Sequence, residues 1–208
     1  MNDKPHFEFF YDCSSPWTYL AFTRVIPMMA SLGVDIHWRP ILVGGVFNAV
    51  NQELYEKRAN WSQNKRQFTY YLKDLGDWAE FCGVRIIQPQ VFPVNSARAM
   101  RGAIFAEEQG QLVPWSTAVF EAYWGDDKDI SQADVLADLA RAVGLDPEAL
   151  PAATEDAAYK QALRDNTEDL INRGGYGSPT MYINGDDMYF GNDRLPLVEA
   201  KIRRLLAG

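Results

Sequence analysis

Between Phe7 and Leu20 the chain reads F-E-F-F-Y-D-C-S-S-P-W-T-Y-L, a run that dictates a strand passing directly into a helix. Phe7, Phe9, Phe10 and Tyr11 are side chains that suit a buried pleated surface. Ser14 and Ser15 precede Pro16, and proline is favoured at the first helical position because its missing N–H costs nothing there. Taken alone, Ser15 reads as an N-cap whose oxygen serves the free amides of the first turn. The position also has a chemical use. A helix start carries unpaired N–H groups and partial positive charge, so an anion such as a thiolate is stabilised there, and a serine hydroxyl is one more donor for it.

A second informative run lies far downstream: Gly177-Ser178-Pro179-Thr180-Met181-Tyr182-Ile183, then Asn184-Gly185 and Met188-Tyr189-Phe190. A Ser-Pro bond just ahead of a β-run is where a cis-proline is expected, and Asn-Gly is the turn that closes a hairpin. Between the two runs, Pro16 to about Leu32 reads as a helix with Trp17, Leu20, Ala21, Val25, Met28 and Leu32 near one face, closed by Gly33 and bent or restarted at Pro27. Val34 to Pro40 alternates as a strand, which makes a right-handed β-α-β opening with parallel strands.

From about Gly44 helical patterns take over, and strands resume only at Met181. Trp61 to Glu80 carries an aromatic stripe (Phe68, Tyr71, Leu72, Leu75, Trp78, Ala79) that reads as core. Asn95-Ser96 reads as a cap, as does Ser131 with Asp134 three residues on. Asp146-Pro147 opens a short helix, Thr154 a longer one ending at Gly174 and Gly175, and Leu195 to Leu206 is the last. The fold class is therefore α/β. Its outline resembles a thioredoxin-like domain, residues 1–44 and 176–208, interrupted by a helical insertion over 45–175.

The motifs sharpen this. S-P-W-T at Ser15–Thr18 sits where disulfide oxidoreductases of the thioredoxin superfamily carry C-P-W-C. Y-D-x-x-S-P at 11–16, G-G-V-F at 44–47, Y-L-K-D-L-x-x-W at 71–78, V-F-x-A-Y-W-G at 119–125, G-S-P-T at 177–180 and F-G-N-D-R-L at 190–195 occur in family order over nearly the whole chain. By these the chain resembles the family of 2-hydroxychromene-2-carboxylate isomerases and kappa-class glutathione transferases.

Composition narrows the field from the other side. The 208 residues carry a net charge of −8 and no basic stripe, against a nucleic-acid binder. No segment approaches the roughly 20 apolar residues of a membrane span, and the N-terminus lacks the apolar run of a signal peptide, so a cytoplasmic protein is expected. The two cysteines, Cys13 and Cys82, form neither a disulfide framework nor a C-x-x-C pair, and S-P-W-T lacks both redox cysteines. Cys13 reads as a small buried residue. His6 and His37 appear scattered along the chain, without the spacing of a metal site or a Ser-His-Asp triad.

The resemblance implies a glutathione cofactor whose thiolate is held by Ser15, acting on a small aromatic substrate in naphthalene-type catabolism. The leading expectation is an isomerase interconverting 2-hydroxychromene-2-carboxylate and trans-o-hydroxybenzylidenepyruvate, with a kappa-like transferase or peroxidase as the alternative, and the resemblance also implies a homodimer. Ser178 and the cis Pro179 would hold the cysteinyl part and Asn192 and Asp193 the γ-glutamyl end. Asn51 would hold the glycyl end, with Asn48 as the alternative because the loop after Gly45 is one residue shorter than the family's. A free thiol near pKa ~8.5 is mostly protonated at neutrality, and lowering that pKa by about 2 corresponds to about 2.7 kcal/mol. One charge-assisted hydrogen bond contributes about 1.5–3 kcal/mol. Trp17, Phe47, Tyr70, Tyr71 and Trp124 are expected as walls of the second substrate's pocket, and Lys65, Arg66 or Lys73 as partners for a carboxylate.

Overall fold

The computed structural model describes residues 4–53 and 64–208. Strand β1 (Phe7–Tyr11) is the central rail of a four-stranded sheet ordered β2-β1-β3-β4. Strand β2 (Ile36–Pro40) runs parallel to it with Phe9 opposite Trp38, while β3 (Thr180–Ile183) runs antiparallel with Phe9 opposite Met181. Strand β4 (Asp187–Phe190) completes the hairpin around Asn184 and Gly185, both with positive φ. All five residues of β1 are buried, so the usual alternation is missing from its sequence. Glu8 is the exception in character. Its carboxylate is satisfied by Arg173, at 2.6 Å and 3.2 Å.

Helix α1 (Pro16–Leu32) crosses from β1 to β2 and ends at Gly33 in the left-handed conformation. It is one continuous helix in which the exposed Pro27 causes no restart, and its most buried residue near the end is Met29 rather than Met28. Then follow α2 (Val43–Val50), α3 (Lys65–Cys82), α4 (Ala97–Glu108) and α5 (Leu112–Phe120), which runs into a π-helical turn over Glu121–Gly125. Helices α6 (Ala133–Ala142), α7 (Ala149–Glu155) and α8 (Ala157–Asn172) lead back to the sheet, and α9 (Leu195–Ala207) closes the chain after a 3-10 turn at Asn192–Arg194.

Two caps differ from expectation, each because a nearer partner takes the hydroxyl. Ser131 donates to Asp129 instead of capping α6, and Thr154 lies inside α7 and donates to the carbonyl of Pro151. Asp156 caps α8, accepting from the N–H of Ala158 at 2.6 Å. The stripe on α3 is also corrected. Only Leu75 and Ala79 are buried there, Phe68 and Leu72 being exposed, and the expected start at Trp61 lies outside the described residues.

One continuous apolar core joins the sheet to the intervening helices. Tyr19 stacks on Phe120 at 5.0 Å, the Tyr11 hydroxyl meets Ser116 Oγ at 2.7 Å, and Trp124 Nε1 donates to the carbonyl of Cys13 at 2.9 Å. The two hydrogen bonds each satisfy a polar tip while its ring stays packed. The last one anchors the residues just ahead of Ser15.

Packing is close where α4 crosses α5. A Cβ added at Gly102 would lie 2.6 Å from Cζ2 of Trp115, a fully buried ring whose Nε1 is held by the carbonyl of Ala99 at 3.0 Å. Gly102→Ala is therefore expected to destabilise the fold by about 1–3 kcal/mol, against the ~1 kcal/mol that alanine brings to a helix interior. Urea unfolding measures the sign, and a variant more stable than the parent would contradict this packing.

Candidate active site

The join of β1 and α1 is built as its sequence requires. Ser15 is extended, at φ −108° and ψ 123°, and its Oγ accepts from the N–H of Thr18 at 3.3 Å, with Pro16 opening the helix. The same hydroxyl donates to the carbonyl of Ser178 across 3.4 Å, a long and therefore weak bond. The donor proton of Ser15 is thus easily redirected toward an anion at the helix start. Ser178 stands opposite. Its peptide bond to Pro179 is cis, and its Oγ meets Thr18 Oγ1 at 2.7 Å and accepts from the N–H of Asp12 at 3.1 Å.

Ser15 and Ser178 open onto a cavity of about 650 Å³. One part of its wall is the aromatic pair Trp17 and Tyr71, edge to face at 5.8 Å; another is Tyr176 and Phe190, at 4.5 Å. Gly177 sits between them for want of room: a Cβ there would lie 2.9 Å from the Phe190 ring. Among the described residues the lining contains no Asp, Glu, Lys, Arg, His or Cys. Among the described residues, a negative charge placed in it would meet hydroxyls, amides and the positive end of α1.

Of the residues expected at the site, Ser15, Ser178 and Asn51 line this cavity together, and so does Asn48. Asn51 Nδ2 donates to the carbonyl of Tyr176 at 3.3 Å. Pro179 is buried behind Ser178, its carbonyl accepting from the N–H of Gly191 at 3.0 Å. Asn192 and Asp193 lie outside the lining. Asn192 is 4% exposed and receives two bonds from Arg24, each 3.1 Å, while the exposed Asp193 pairs with Arg194 at 2.8 Å.

Trp17, Phe47 and Tyr71 are walls as anticipated, but Tyr70 points to solvent and Trp124 is sealed in the core. Lys65 and Arg66 are outside the lining, and Lys73 pairs with Asp77 along its own helix. Sequence reasoning missed Phe92, whose bond to Pro93 is also cis, and Ser96, both in the lining. Of the expected Asn95-Ser96 cap, Asn95 Oδ1 accepts from the N–H of Ala97 at 3.1 Å, while the Ser96 hydroxyl donates to Asp12 at 3.0 Å. An acidic residue at the end of an aromatic strand was the available signal for that partnership.

Burial decides the role of the nearby thiol. Cys13 is 1% exposed, and desolvation pushes its thiol well above the ordinary range. It does not line the cavity. The histidines, read as scattered, meet across the parallel strand pair with rings 4.1 Å apart, at the end of β1 remote from Ser15.

The chain belongs to the family of DSBA-like thioredoxin domains, whose model matches residues 7–203. Within it, a 2-hydroxychromene-2-carboxylate isomerase of Pseudomonas putida is 29% identical over 95% of this chain and 94% of its own. A glutathione S-transferase kappa 1 of Rattus norvegicus is 24% identical over 92% of this chain and 88% of its own. Among solved structures, a 2-hydroxychromene-2-carboxylate isomerase aligns at a TM-score of 0.81 and 27% identity, covering 96% of this chain and 95% of that one. A probable DsbA oxidoreductase from Streptomyces coelicolor shares the fold at a TM-score of 0.75 and 18% identity, over 98% and 90% of the two chains.

The burial of Cys13 makes a chemical forecast. Iodoacetamide at mildly alkaline pH should leave Cys13 unmodified in the native protein and reach it only after unfolding, as read by peptide mass spectrometry. Rapid native labelling of Cys13 would restore a protein thiol to the list of nucleophiles.

Proposed function

We propose that this protein is a glutathione-dependent isomerase that interconverts 2-hydroxychromene-2-carboxylate and trans-o-hydroxybenzylidenepyruvate in the breakdown of naphthalene-type aromatics. The observation that carries the reading is the Ser15 hydroxyl, held at the start of α1 with a weak donor bond, facing a cavity whose described lining has no thiol, imidazole or charge of its own. The isomerase and kappa transferase relatives support it.

Bound glutathione would supply a thiolate that adds to the unsaturated ring system and leaves again unchanged. Ser15 would turn its proton from the Ser178 carbonyl to that sulfur, and the first turn of α1 would add its polarised amides. The carbonyl of Ser178, freed of this bond, would face the extended peptide, with Asn51 or Asn48 toward the glycyl end. Asp193 would meet the γ-glutamyl ammonium, the side chain of Asn192 being engaged by Arg24. The rings of Trp17, Tyr71 and Phe92 would receive the flat aromatic substrate and exclude water. A cytoplasmic setting goes with this reading, since the reaction needs its thiol kept reduced, and the family resemblance adds a homodimer.

Ser15→Ala should lower kcat/KM for the isomerisation by about 10²-fold or more, measured by the interconversion of the two named compounds with glutathione present. The free thiol titre should stay constant through many turnovers. Steady consumption of glutathione would favour the transferase instead, and full activity of Ser15→Ala would sink both.

A further inference from the structure

Asp12 follows directly on β1, is fully buried and has no part in the chemistry above. Its carboxylate accepts three hydrogen bonds. Oδ1 takes the N–H of Ser14 at 2.9 Å, and Oδ2 takes the N–H of Val43 at 2.8 Å and the hydroxyl of Ser96 at 3.0 Å. Its main chain adds two more, donating to Ser178 Oγ at 3.1 Å and accepting from the N–H of Ser15 at 3.2 Å. All five partners line the cavity, and Asp12 itself does not. They come from four separate segments: the turn before α1, the start of α2, the start of α4 and the approach to β3.

Among the described residues no cation pairs with this carboxylate. A buried charge without a counter-ion is costly, and burial pushes the Asp12 carboxyl upward although its hydrogen bonds pull the other way. An apolar residue would fill the space at less expense. What a carboxylate alone offers at this size is two oxygens that only accept, so amides and hydroxyls from several directions converge on it without a donor of its own in the way. An asparagine would turn an N–H₂ toward either Ser14 or Val43, setting donor against donor.

We propose that Asp12 is a positioning residue of the site: its buried carboxylate locks the Ser15 turn to the starts of α2 and α4 and so sets the width of the cavity that receives the sulfur-bearing ligand. It touches no ligand. The inference rests on the glutathione reading of the same cavity, and its test must separate the two.

The test compares Asp12→Asn, Ser96→Ala and Ser96→Thr with the parent by thermal unfolding, glutathione calorimetry, steady-state kinetics and amide hydrogen exchange. Asp12→Asn should bind glutathione about 10- to 100-fold more weakly, with the loss in KM for glutathione rather than in kcat. Ser96→Ala, which keeps both amide bonds, should lose less, and Ser96→Thr should restore the parent's affinity. Exchange at the Ser14 and Val43 amides should quicken in Asp12→Asn.

Parent-like affinity in Asp12→Asn, or a Ser96→Ala that lowers Tm while binding glutathione normally, would overturn the proposal. Should Asp12→Asn fail to fold, the Ser96 pair decides alone. If the parent protein itself does not bind glutathione, the functional reading falls, and unchanged exchange at Ser14 and Val43 in the variants would then dispose of the Asp12 role separately.

Discussion

Three helices, α1, α2 and α4, begin beside one another at the end of β1, and each brings unpaired N–H groups and partial positive charge to the same small region. The fold has to satisfy those donors with little water available. Each start finds its own acceptor, the Thr18 amide at Ser15 Oγ, the Val43 amide at Asp12 and the Ala97 amide at Asn95 Oδ1, and the buried Asp12 also ties Ser14 and the Ser96 hydroxyl. Among the described residues, the arrangement leaves a cavity polarised positively by backbone dipoles, with no lysine or arginine in its lining. That is an environment in which a sulfur anion is stabilised without being locked into an ion pair.

The same geometry explains why family membership does not carry disulfide chemistry with it. In S-P-W-T both redox positions are hydroxyls, and the Thr18 hydroxyl is already engaged with Ser178 Oγ at 2.7 Å. The remaining thiol nearby, Cys13, is sealed behind the turn, its carbonyl held by Trp124. The stacking of Tyr19 on Phe120 and the hydrogen bond between the Tyr11 and Ser116 hydroxyls fix this join to the helical part of the molecule. The site therefore sits on ordered elements and has room to differ among relatives chiefly in its lining.

Much of this was legible from local sequence. The serine-proline helix start, the Ser178-Pro179 bond, the Asn184-Gly185 hairpin and the parallel β1–β2 pairing each follow from short-range stereochemistry, and all are present. What was misread depends on partners distant in the chain. Ser96 looks like a cap until Asp12 is placed beside it, 84 positions away in sequence. The aromatic period of α3 indicates a stripe but not whether anything covers it, so Phe68 and Leu72 were taken for core. Trp124 and Tyr70 had the right chemistry for a wall and the wrong direction. His6 and His37 became neighbours only through strand register.

The account turns on the ionisation of a sulfur beside Ser15. The most direct measurement is a pH titration of the thiolate ultraviolet absorbance of glutathione bound to the intact protein, taken as a difference against free glutathione. We expect the bound thiol to ionise with a midpoint below neutrality, about 2 pH units under the ~8.5 of an unperturbed thiol. A midpoint at or above that of the free thiol would contradict the account.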